Sequence, residues 1–140
     1  MTLIETPALL ILGTDQEYIE RIRSEYSQPI VTPEGVSVIF FLRDDQECLH
    51  SLAGKNGTRI NPFRAQRLLW IRFLLMNSHV REVKKSLQNG NIVFYCHQLR
   101  YIVVCSPTKK GLKYITQYIY RSDTQEKLEN PALYESHILK

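Results

Sequence analysis

The sequence predicts a single α+β domain, with helices gathered before residue 77 and most of its strands after it. Three observations carry that prediction. The 140 residues, 44% hydrophobic and 23% charged, suit one globular domain over 1–140 and rule out disordered, collagen-like and coiled-coil chains. Apolar residues recur at three-to-four spacing in the N-terminal half. Short β-branched and aromatic runs bounded by turn residues dominate from residue 92 to 120.

The elements follow in order. Thr14-Asp15-Gln16-Glu17 reads as a capping box, with the Thr14 hydroxyl on the Glu17 amide and the Glu17 carboxylate reaching back to Thr14, and it opens a helix to about Tyr26. Tyr18, Ile19, Ile22 and Tyr26 give this helix one buried face. Pro29 and Pro33-Glu34-Gly35 then break the chain, and Val36 to Leu42 (VSVIFFL) reads as a strand. Asp44 or Asp45 caps a short helix through His50, stopped by Gly54, and Gly54 to Arg59 reads as a basic loop.

Asn61-Pro62 is an N-cap acceptor followed by the one early helical position where proline does no harm, so a helix runs from there to about Met76. Its many apolar residues make it the most buried helix. At 100° per residue, Arg64 and Arg67 lie about 60° apart and Arg72 about 80° from Arg64, so the three share one polar stripe. After the basic segment Val80 to Leu87, Gln88-Asn89-Gly90-Asn91 is a turn. Ile92 to Cys96 and Tyr101 to Cys105 form a hairpin, and Pro107 to Gly111 turns into a last strand, Leu112 to Tyr120. Alternation places Tyr114, Thr116 and Tyr118 on one face and Ile115 and Ile119 on the other, under the helices. The acidic tail 121–140 adds a terminal helix.

Charge is segregated along the chain. Residues 1–50 hold three basic and nine acidic side chains, residues 51–120 twelve basic and one acidic, and residues 121–140 three and four, giving +4 in all. The middle block, at +11, points to a polyanionic ligand; the alternative is a solvated basic face balanced by the acidic N-terminal third. No apolar run approaches the 18 residues of a membrane span, and the unpaired count of three cysteines favours reduced, packed thiols. A soluble, cytoplasmic protein without a membrane partner is the expectation.

Metal chemistry has few candidate ligands. Cys48-x-His50 and Cys96-His97 match no zinc spacing, and Glu82 is the sole carboxylate of the basic block, so neither a metal nor another cofactor is expected. No phosphate-binding glycine loop or nucleophile elbow occurs. What remains is a histidine, several Arg and Lys, and a threonine with tyrosines. These are the parts of a metal-free ribonuclease: a base for the 2′-hydroxyl, cations for the phosphate and donors for the leaving group.

The run Phe63-Arg64-Ala65-x-Arg67-Leu68-x-Trp70-Ile71, then Asn77 and Val80, a hairpin with Tyr101-Ile102-Val103-Val104 and a closing strand with Thr116-x-Tyr118 resembles the phage-type branch of the barnase, EndoU, colicin and RelE-like nuclease superfamily. The resemblance covers about residues 36–120 and departs from the family at Leu69 and Ser78, where proline is common. It implies N-terminal helices packed on an antiparallel sheet of about four strands, with RNA on the open sheet face. Carried over, it places His50 after the first strand as the base, Arg64 and Arg67 in the Trp-containing helix as phosphate ligands, and Thr116 and Tyr118 in the closing strand. Lys55, Arg59, Arg72, Lys109, Lys110 and Lys113 add general attraction for nucleic acid.

The implied activity is metal-independent endoribonucleolytic cleavage by 2′-hydroxyl attack, leaving a 2′,3′-cyclic phosphate, in a toxin-like or phage-derived protein. Toxin-type members travel with a cognate inhibitor protein. The alternative is a catalytically degenerate RNA-binding or protein-interaction module of the same fold. Residue by residue, the structural alternatives are a core or capping role for His50, ion pairing of Arg64 and Arg67 with the acidic N-terminal third, and plain strand propensity for Thr116 and Tyr118.

Overall fold

The computed structural model describes residues 3–54 and 57–139. Helix α1 spans Asp15–Glu25, α2 Asp45–Ala53, α3 Pro62–Gln66, α4 Leu68–Met76 and α5 Ser122–Glu129; the strands are β1 Ile30–Val31, β2 Ser37–Ile39, β3 Glu82–Ser86, β4 Ile92–Cys96, β5 Tyr101–Thr108, β6 Gly111–Ile119 and β7 Tyr134–Ser136. They form one seven-stranded sheet in the order β1-β2-β6-β5-β4-β3-β7. The fold is therefore α+β as expected, but the sheet is larger than four strands and mixed, because β2 pairs with β6 in parallel. The additional strands are β3, within the basic segment Val80 to Leu87, and the short edge strands β1 and β7.

The predicted caps are present. Thr14 accepts from the Glu17 amide, Asp44 from the Glu47 amide, and Asn61 from the amides of Phe63 and Arg64. Each satisfies N–H groups that the first helical turn leaves without an internal partner. The Glu17 carboxylate reaches the Gly13 amide at 3.4 Å and the Thr14 hydroxyl at 3.3 Å, not the Thr14 amide. The long helix expected over 62–76 breaks at Arg67, whose φ of −106° and ψ of 16° separate α3 from α4.

Two apolar layers sandwich the sheet. Alternation along β4 sends Ile92, Phe94 and Cys96 to one face, where Ile22 of α1, Leu52 of α2 and Leu68, Ile71, Leu74 and Leu75 of α4 cover them. Val93 and Tyr95 go to the other face, under Leu128 of α5. A strand covered on both faces reads as a continuous apolar run, and β4 is buried at all five positions. The three free cysteines, Cys48, Cys96 and Cys105, are buried. Among the described residues no helix is long and apolar enough to cross a membrane.

The pairing of β5 with β6 is irregular between Val104 and Cys105, where Val104 faces Thr116 but Cys105 faces Tyr114, so Ile115 is the extra residue of a bulge. This overturns part of the alternation read from the sequence. Tyr114 turns into the helix layer, bonded to Ser51 of α2, while Thr116 and Tyr118 keep the opposite face. Ile115 is 43% exposed instead of packing under the helices, whereas Ile119 packs as expected. At the start of β6, Gly111 (φ +139°) lies so close to β2 that a Cβ would stand 2.4 Å from the Ser37 carbonyl oxygen, which only glycine permits.

Candidate functional site

Arg64 leaves the single turn α3 near the free edge of β6, beyond the two residues that pair with β2. Its backbone is fixed from the sheet. Gln117, fully buried on β6, donates from Nε2 to the Arg64 carbonyl (3.1 Å) and accepts from the Tyr101 hydroxyl at Oε1 (2.7 Å). A buried amide with both ends engaged costs little and sets a unique position for its partners.

The Arg64 side chain passes Gly54, the residue that stops α2. A Cβ there would lie 3.0 Å from Nη2, and φ of +90° suits glycine alone. Nη1 donates to the Thr116 hydroxyl at 2.9 Å, and the guanidinium carbon stands 5.2 Å from the centroid of the Tyr118 ring. Burial lowers the Arg64 pKa, against the raising influence of Tyr114, Tyr118 and Tyr101. The group remains a cation. Among the described residues the ion pairs are Arg21–Glu25, Arg23–Asp45, Arg81–Glu34 and His97–Glu129, so this partly buried charge has no carboxylate beside it. Burial likewise raises the Tyr118 pKa, and the phenol keeps its proton at neutral pH.

Of the residues singled out from the sequence, the structure thus brings together Arg64, Thr116 and Tyr118. Arg67 turns elsewhere. Its Nη1 donates to the Phe63 carbonyl at 3.1 Å and its guanidinium lies over the Trp70 and Phe63 rings, at 5.0 and 5.8 Å; its Nε is buried without a hydrogen-bond partner. Arg72 fastens α4 to α1, donating to the Glu25 carbonyl at 2.7 Å and lying over the Tyr26 ring. The shared stripe expected of the three arginines is absent because the break at Arg67 resets the helical phase.

His50 stands exposed on α2 with Nε2 2.9 Å from Nε2 of Gln46. It makes no hydrogen bond to Arg64, Thr116 or Tyr118 among the described residues. As residue i to Gly54 at i+4, it lies one helical turn from the glycine that Arg64 passes. Arg59 is exposed, as are Lys109 and Lys110 in the β5–β6 turn; Lys113 is exposed with its ammonium 5.1 Å from the Phe41 ring centroid. Lys55 lies outside the described residues.

Gln117 was not singled out from the sequence, and Gly54 was read as a helix stop without a place beside Arg64. A glutamine between tyrosines in an apolar strand was the available signal for the first, and a helix stop ahead of a basic loop the signal for the second. Among the described residues no group of three or more His, Cys, Asp or Glu side chains is placed to hold a metal ion. Comparison of the chain with family models, curated proteins and solved structures returned no match.

Proposed function

We propose that this protein binds RNA by a phosphate at Arg64 and cleaves it without a metal ion, as a member of the nuclease superfamily its sequence resembles. The observation that carries the reading is the partly buried Arg64 guanidinium, held by a threonine hydroxyl and an aromatic ring with no carboxylate among the described residues to neutralise it. A cation kept partly out of water without an acidic partner is under-solvated, and an anionic oxygen restores what burial removes. The surrounding +11 block draws a polyanion toward it.

In this mechanism His50 leaves Gln46 and takes the 2′-hydroxyl proton, and the 2′-oxygen attacks the adjacent phosphorus. Arg64 stabilises the charge that builds on the phosphorane oxygens, a contribution of about 3 kcal/mol for one well-placed donor. Thr116 orients Arg64, and Tyr118, which retains its proton, supplies one to the leaving 5′-oxygen. The 3′ product end is a 2′,3′-cyclic phosphate. RNA incubated with the purified protein in excess chelator is expected to yield such ends, and RNA carrying 2′-deoxy residues is expected to stay intact. Cleavage that stops in chelator and returns with magnesium contradicts the mechanism.

One observation favours a second reading, RNA binding without cleavage: His50 is engaged by Gln46 and not by the Arg64 cluster. That reading expects salt-sensitive RNA affinity and no turnover with or without a metal ion.

A further inference from the structure

A cavity of about 410 Å³ lies where the β1–β2 turn, the β5–β6 turn and the segment after β7 meet. Leu139, three residues past the end of β7, lines it and is buried in the helix-side core. The cavity's cationic walls are Lys109 and Lys110 from one turn, and the partly buried His137 from the terminal segment and the Ser37 side chain add polar groups to its lining. Among the described residues no acidic side chain lines it. The nearest in sequence, Glu34, is committed to Arg81 by two hydrogen bonds, of 3.0 and 2.8 Å. The lysine-bearing turn is fixed in shape: the Thr108 hydroxyl donates to the Gly111 carbonyl at 3.0 Å and accepts from the Lys110 amide at 3.3 Å. Neither lysine is ion-paired among the described residues.

We infer that this cavity is a second phosphate subsite, which takes a phosphodiester of the same strand whose other phosphate Arg64 holds; the inference rests on the RNA reading above and adds to it the substrate's length. Strand β6 connects the two places. Gly111 borders the cavity and Thr116 holds Arg64; with Ile115 bulged out of the ladder they stand four strand steps apart at ~3.3 Å each, or about 13 Å. At ~3.4 Å per nucleotide along a stacked strand this is roughly four nucleotides. The substrate class is therefore a single strand that continues past the reacting phosphate, and a di- or trinucleotide reaches only one of the two positions.

The test is equilibrium binding of a trinucleotide and of an RNA of roughly twelve nucleotides, over a range of salt, to the wild type, to Lys109→Ala/Lys110→Ala and to Arg64→Ala. The lysine variant is expected to lose affinity for the long RNA alone, with its log–log salt slope falling by about 0.7, the value for one single-strand phosphate no longer neutralised. Equal loss on both lengths makes the lysines diffuse attraction and overturns the subsite, as does no loss on the long RNA. Arg64→Ala separates the two ideas: if it leaves both affinities unchanged while the lysine effect persists, the Arg64 reading fails and the subsite stands. Inorganic pyrophosphate supplies a probe independent of RNA. It is expected to shift the NMR signals of the Gly35, Lys110 and Gly111 amides and the His137 ring, and the absence of shifts at these positions overturns the inference.

Discussion

His50→Ala is expected to slow RNA cleavage by roughly 10² to 10⁴ while leaving RNA affinity nearly unchanged. A neutral imidazole contributes little attraction to phosphate, so its removal takes away proton transfer and not binding. The residue is exposed and its side-chain hydrogen bond, to Gln46, lies within its own helix, so the variant keeps its fold. Single-turnover cleavage and equilibrium binding measured on the same preparation check the split. Unchanged cleavage removes His50 from the mechanism even if the protein proves to be a ribonuclease.

A comparably large effect is expected on stability at the Arg81–Glu34 pair. Arg81 has a side chain only 2% exposed, against 28% for Glu34. The guanidinium binds both Glu34 oxygens and also donates to the carbonyls of Leu74 and Leu75, where α4 ends, and it lies over the Phe94 ring. It ties the β1–β2 turn to the helix layer and to the start of β3. Glu34→Ala leaves that charge buried with carbonyl partners alone, and a loss of about 3 kcal/mol is expected, the lower end of the range for breaking a buried pair because Glu34 is partly exposed. Denaturant unfolding of both single variants and the double variant measures this, with the double expected to lose less than the sum.

The pH dependence has a definite sign. The Arg81 hydrogen bond lowers the Glu34 pKa below the usual carboxylate value, so this contribution is complete above the unfolded carboxylate range, near pH 4, and disappears as pH falls through the lower folded value. Acid unfolding of Glu34→Gln should lack that component.

Where a side-chain oxygen at fixed spacing starts an element, the sequence was legible: Thr14, Asp44 and Asn61 mark three helix starts because capping is local chemistry. The β4–β5 hairpin was legible from its apolar runs. Strands of two and three residues such as β1 and β7 have no period to read, and they exist only through the neighbours they pair with. The bulge at Ile115 reverses an alternation that looked regular, and nothing in LKYITQYIY announces it. The break at Arg67 carries no proline or glycine, so the phase of the three arginines was unreadable. Arg81 looked like one more member of the basic block, since a buried salt bridge to a residue 47 positions away leaves no local trace. For the site, the resemblance put His50, Arg64, Arg67, Thr116 and Tyr118 in one set; that Arg64 meets Thr116 and Tyr118 while Arg67 turns away and His50 engages Gln46 was decided by packing.

The most direct measurement of the central claim, that Arg64 holds a phosphate of RNA, is the salt-dependent affinity of single-stranded RNA for the wild type and Arg64→Ala, with folding verified by circular dichroism. A loss of about tenfold or more in affinity is expected, the worth of one charge-assisted bond of roughly 1.5 to 3 kcal/mol, with a salt slope smaller by about 0.7. Equal affinity and equal slope in the two folded proteins would contradict it and leave Arg64 a structural residue that clamps α3 to β6.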